Sequence, residues 1–139
     1  RFQPEAYVPL NPSWSVNNRG VAFRVPHGPP ASRRVEHRIA GADANPYLLA
    51  AIVLAGMHLG LTRKLDPGPV LAGNAYRDTT PTIPQSWPEA LGVFERSEFA
   101  REYLGERFAN VYAATRRGEM QDFQSYVPAI DYDWYLTTS

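Results

Sequence analysis

The order of apolar and polar positions along the 139 residues predicts an extended first third and a helical remainder. Residues 1–18 carry Pro4, Pro9 and Pro12 among Phe2, Tyr7 and Trp14. Each proline removes a backbone donor and restricts the residue before it, so this stretch is expected to be a long loop. Gly20 to Val25 and Arg34 to Ile39 are rich in β-branched or aromatic residues and flank the turn cluster Pro26-His27-Gly28-Pro29-Pro30, which predicts a hairpin-like antiparallel pair. Period-2 alternation in the second strand puts Arg34, Glu36 and Arg38 on one face and Val35, His37 and Ile39 on the other, the packing face. Arg19 and Arg24 are five positions apart, so either a bulge intervenes or Arg19 precedes the strand proper.

Asn45 is a suitable N-cap and Pro46 suits the first helical position, which predicts a helix from about Pro46 to about Thr62. Its nearly all-round apolar surface predicts that it is buried. Residues 66–85, with Pro67, Pro69, Pro81 and Pro84, read as a surface connection without assigned chemistry. Ser86-Trp87-Pro88-Glu89 has capping-box spacing and predicts a helix start, and a second short helix is expected from Ser97. Leu104, Phe108, Val111, Tyr112, Met120, Phe123 and Val127 mostly recur at steps of three and four, predicting one long amphipathic helix that Pro128 ends. Trp14, Trp87 and Trp134 are expected in the core or at an interface. Strands first and helices afterwards point to α+β, with a loop region over 1–18, the strand pair over 19–40 and a helical part over 44–139 of one domain.

Composition adds a location for the chemistry. Net charge is zero, yet residues 1–42 hold six arginines against Glu5 and Glu36, while residues 43–139 hold eight basic against twelve acidic residues. Thirteen of the fourteen basic residues are arginine, the side chain whose planar fork grips carboxylates and phosphates. A neutral chain with one basic region is unlike a whole-surface nucleic-acid binder. Without cysteine there is neither disulfide nor thiolate metal site, which agrees with a cytoplasmic setting. The longest apolar run, Tyr47 to Leu61, is interrupted by His58 and falls short of the roughly 18 residues of a membrane span, and no signal peptide is visible. A chain that starts at Arg1 rather than Met, with site-like residues at once, reads as a fragment.

His27, His37 and His58 are too scattered for a zinc site, and neither a Ser/His/Asp nor a G-x-x-x-x-G-K arrangement is present. An Arg-Val-Glu-His-Arg strand is by itself compatible with a solvated face of ion pairs, although exposed pairs are worth only about 0–1 kcal/mol and give little reason for so dense a cluster. Glu36 is a candidate ligand for a hard divalent cation, but one carboxylate does not make such a site.

Asn18-Arg19, Arg24-Val25-Pro26, Arg33-Arg34-Val35-Glu36-His37-Arg38 and Ala42-Asp43-Ala44-Asn45-Pro46-Tyr47 together resemble the carboxy-terminal part of the glutamine synthetase catalytic domain. Arg1-Phe2-Gln3-Pro4, Tyr7-Val8-Pro9, Ser13-Trp14, Asn17-Asn18-Arg19 and Leu104-Gly105-Glu106-Arg107-Phe108 resemble its γ-glutamylputrescine-forming branch. The resemblance implies a ligase that uses ATP and Mg²⁺ or Mn²⁺ to phosphorylate the glutamate side chain and lets an amine displace the phosphate. It implies that Arg1 and Arg38 bind glutamate, that Arg19 and Arg24 hold the transferring phosphoryl group and ATP phosphates, that Arg34 binds nucleotide, and that Glu36 is a metal ligand. It also implies that the intact protein forms a homo-oligomeric ring, and that the remaining metal carboxylates and an amino-terminal domain lie before Arg1, so the fragment alone is expected to be inactive.

One departure bears on the acceptor. Glutamine synthetases proper carry a loop glutamate six residues after the position of Arg1, where this chain has Tyr7, and the polyamine branch tolerates that change. Tyr7 is therefore a candidate substrate-binding residue and putrescine or a polyamine the expected amine, with ammonia the alternative. Glu5, Tyr7 or an upstream group remain open as proton acceptor. A non-catalytic binding or assembly module is the competing reading from another class.

Overall fold

The structure is a computed structural model and describes residues 7–77 and 80–136. It is α+β: three short strands, β1 (Trp14–Val16), β2 (Phe23–Val25) and β3 (Glu36–His37), precede α1 (Pro46–Thr62), α2 (Trp87–Glu95), α3 (Glu98–Leu104), α4 (Glu106–Ser125) and α5 (Ala129–Tyr135). The chain forms two compact units, residues 1–85 and 86–139.

In the first unit β2 is central. It pairs antiparallel with β3, as the turn cluster predicts, with Arg24 opposite Glu36 and Phe23 opposite His37. It also pairs in parallel with β1, with Ser15 opposite Arg24. β1 corrects the expectation of an uninterrupted loop over 1–18. The connection 17–22 reaches about 20 Å when extended, enough to return along a strand only about 10 Å long, so a parallel pair closes here without a long crossover.

The core of this unit is small: Pro9, Leu10, Val21, Ala22 and Ala75 are buried, with Asn11 and Ser15. The segment read as a mere surface connection is part of it. Leu71 N–H donates to Trp14 O at 3.0 Å, Ser15 Oγ donates to Leu71 O at 2.7 Å and Trp14 Nε1 donates to Gly68 O at 2.9 Å. Thr82 and Ile83 both donate backbone N–H groups to Leu10 O. A Cβ added at Gly20 would stand 2.9 Å from the Ala75 Cβ, so the absence of a side chain at Gly20 is what lets the two segments meet.

α1 has the expected bounds because Asn45 Oδ1 accepts from Tyr47 N and Leu48 N and Pro46 occupies the first turn. It is not buried. Only Ala55 is, while Tyr47, Leu54, Met57 and Leu61 are exposed, because an apolar helix is buried only where a second layer covers it. His58 is likewise exposed.

In the second unit Ser86 Oγ caps α2 through Glu89 N, and Ser97 Oγ caps α3 through Ala100 N. Both short helices lie on α4, around the buried Leu91, Ala100, Ala109 and Ala113, with Phe94 tilted on Tyr112 at 5.1 Å. The single long helix is corrected at both ends. Gly105, at φ +82°, divides α3 from α4, and α4 stops at Ser125, leaving Leu104 and Val127 outside it. A further short helix, α5, follows Pro128. Trp87 and Trp134 are exposed, not core.

Candidate functional site

Strand pairing places a carboxylate opposite a guanidinium. Because Arg24 and Glu36 are register partners, their side chains rise from the same face of the sheet, and Arg24 Nη1 donates to Glu36 Oε2 at 2.9 Å. Arg34 and Arg38, two residues to either side of Glu36, come to the same face: Arg34 Nη2 lies 3.3 Å from Oε1 and Arg38 Nη1 4.0 Å from Oε2. The expected alternation therefore holds for all three. On the opposite face His37 packs edge-on to Phe23 at 5.5 Å, half-buried.

Electrostatics follow from this geometry. The hydrogen bond from Arg24 holds the Glu36 carboxyl below the usual carboxylate range; burial opposes this, and the charges of Arg24 and Arg34 add to it. His37 is pushed below the ordinary imidazole value by burial alone.

Arg19 lies in the turn before β2, which resolves the spacing question in favour of its preceding the strand. It lines an open recess of about 580 Å³ with Tyr7, Asn18, Gly20, Gly73, Asn74, Ala75 and Tyr76. Asn18 holds the recess together, accepting from Gly20 N at 2.9 Å and donating from Nδ2 to Gly73 O at 3.0 Å. Arg38 links the two parts of the site: Nε donates to Arg19 O at 3.1 Å and Nη2 to Tyr7 O at 3.3 Å. Burial raises the Tyr76 phenol above its ordinary pKa, partly offset by the Val8 backbone and the Arg38 charge. Arg1 and Glu5 lie outside the described residues.

Tyr7, Arg19, Arg24, Arg34, Glu36 and Arg38 thus belong to one continuous region of the first unit. Sequence reading missed the contribution of Gly73 to Tyr76, whose one local sign is the Asx turn in which Tyr76 N donates to Asn74 Oδ1. Chemically, the cluster offers guanidinium forks to an entering phosphate or carboxylate, which would compete with Glu36 for them. For a divalent cation Glu36 supplies one hard oxygen ligand, and among the described residues no group of three His, Cys, Asp or Glu is placed to hold a metal ion. Among the described residues no helix is long and apolar enough to cross a membrane.

Residues 1–135 match the glutamine synthetase catalytic-domain family. The chain is 42% identical over 136 residues to a γ-glutamylputrescine synthetase of Escherichia coli, covering 98% of this chain and 29% of that protein. It is 36% identical over 141 residues to a γ-glutamylethanolamide synthetase of Streptomyces coelicolor, covering 100% of this chain and 29% of that protein. To a glutamine synthetase of Thermus thermophilus it is 30% identical over 146 residues, covering 99% of this chain and 33% of that protein. The chain therefore spans about a third or less of the length of these relatives.

Proposed function

The chain belongs to the glutamine synthetase catalytic-domain family, and from that premise we propose that it is the carboxy-terminal part of an ATP-dependent ligase joining the glutamate γ-carboxylate to an amine, putrescine or a related polyamine. The observation that carries this reading is the convergence of Arg24, Arg34 and Arg38 on Glu36 along one sheet face. The choice of amine draws on the 42% identity to the Escherichia coli γ-glutamylputrescine synthetase and on Tyr7 at the position where ammonia-using relatives are expected to carry glutamate.

The terminal phosphoryl group of ATP passes to a γ-carboxylate oxygen, the bond to ADP breaking as the new P–O bond forms. Such transfer is mainly positioning and charge neutralisation, which Arg19, Arg24 and Arg34 supply with fixed donors toward the phosphate oxygens. Arg1 and Arg38 hold glutamate. Arg38 also donates to the backbone carbonyls of Tyr7 and Arg19, so the segments on either side of β1 are tied to the same guanidinium. The neutral amine then attacks the acyl carbon, the C–O bond to phosphate breaks, and a base takes the surplus amine proton. Glu36 would be one ligand of a divalent metal, Mg²⁺ or Mn²⁺, whose charge would offset that of the phosphates, and the further ligands would come from the rest of the intact protein.

In this reading the 139 residues alone do not turn over; the intact protein acts in the cytoplasm as a homo-oligomeric ring. The test is interception of the activated carboxylate: hydroxylamine supplied to the intact protein with ATP, Mg²⁺ and glutamate should yield γ-glutamyl hydroxamate and an equal amount of ADP. ADP formation without hydroxamate would rule out the acyl phosphate.

A further inference from the structure

Arg24 is held at two points, and the second comes from a residue with no assigned part in the reaction. Its Nη1 donates to Glu36 Oε2, and its Nη2 donates to Asn17 Oδ1 at 3.2 Å. The Nε of Arg24 is buried and has no hydrogen-bond partner among the described residues, so the two Nη bonds set the plane of the guanidinium. One ion pair fixes a distance; a second acceptor on the other nitrogen fixes the rotation, and hence the direction of the remaining N–H bonds.

Asn17 is built for that place. It directly follows β1 at φ +55°, a left-handed conformation that asparagine tolerates better than most side chains. Its backbone N–H donates to Val25 O at 3.1 Å, and its Oδ1 accepts a second bond from His27 N at 3.1 Å. The residue therefore clips both sides of Pro26, which has no donor of its own, and ties the end of β2 to the end of β1. The left-handed turn brings the carboxamide to Arg24 rather than along the strand.

We propose that Asn17 is a positioning residue, orienting the Arg24 guanidinium toward the phosphate it receives; this rests on the reading of Arg24 as a phosphate-binding residue. Asn17→Gly keeps the backbone conformation and removes the acceptor, whereas Asn17→Asp keeps both. In crystals of the intact protein the Arg24 guanidinium is expected to rotate away or lose order in Asn17→Gly and to stay in place in Asn17→Asp. An unmoved Arg24 in Asn17→Gly overturns the proposal.

Kinetics supply the second arm. Asn17→Gly should lower kcat about tenfold, the scale of one lost bond to a charged group, with the glutamate KM unchanged. Added to Arg24→Ala it should cost nothing more, since it acts through Arg24; additive losses overturn the proposal. Undiminished turnover in Arg24→Ala overturns the phosphate reading itself, a failure distinct from an unmoved guanidinium.

Discussion

Arg24 and Glu36 face each other across β2 and β3 with 2.9 Å between Nη1 and Oε2, and two further arginines come to the same carboxylate. Arg34 approaches the second carboxylate oxygen and Arg38 the first. Glu36 is thus both the anchor of three arginines in the described structure and the proposed metal ligand.

Replacing Glu36 with alanine in the intact protein is expected to reduce ADP formation by about 100-fold or more, through lost metal binding and released arginines together. The fold should persist, because the side chain is partly exposed rather than part of the core. Steady-state ADP assays with circular dichroism check both halves. Wild-type turnover at saturating Mg²⁺ would remove the metal role.

Arg24→Lys should lower turnover by about tenfold or more, because an ammonium point charge cannot meet Glu36 and Asn17 with one rigid fork. The measurement is kcat with ATP varied at saturating glutamate and amine. Undiminished kcat would make Arg24 a surface charge.

Gly20→Ala should destabilise the first unit by about 1–3 kcal/mol, since the added methyl meets the buried Ala75 Cβ at 2.9 Å. Chemical denaturation of the variant beside the wild type reads this directly. Equal midpoints would mean that the 73–76 segment gives way without cost.

Acid should weaken the first unit in two stages. His37 and Glu36 both titrate lower in the folded chain than in the unfolded one, so on acidification the unfolded chain takes up each proton first and gains stability relative to the fold. The loss begins near the ordinary imidazole value of 6.5 for His37 and near the ordinary carboxyl value of 4.5 for Glu36. Denaturation midpoints across pH 4 to 8 should fall toward acid, and Phe in place of His37 should remove the upper stage. A midpoint unchanged over that range would contradict both environments.

Much of the site was legible because strand alternation is local. A period of two is enough to put Arg34, Glu36 and Arg38 on one face, and the caps Asn45, Ser86 and Ser97 mark helix starts through their own side chains. What escaped depends on partners distant in sequence. β1 is three residues long and exists by pairing in parallel with β2, and residues 66–85 look like a loose connection until Gly20 admits Ala75. The exposure of α1 could not be read from its composition, because apolarity records what a helix can bury and not what covers it. The break at Gly105 was hidden by apolar spacing that continues across it.

The most direct test of the account is amine-dependent ADP release by the intact protein, supplied with ATP, Mg²⁺ and glutamate and with putrescine, longer polyamines, ethanolamine or ammonia at equal concentration. Turnover with putrescine or a longer polyamine is expected well above that with ammonia, and none from residues 1–139 alone. Silence with every amine, or preference for ammonia, would contradict the proposed reaction or its acceptor, and turnover by the 139 residues alone would contradict the need for the rest of the protein.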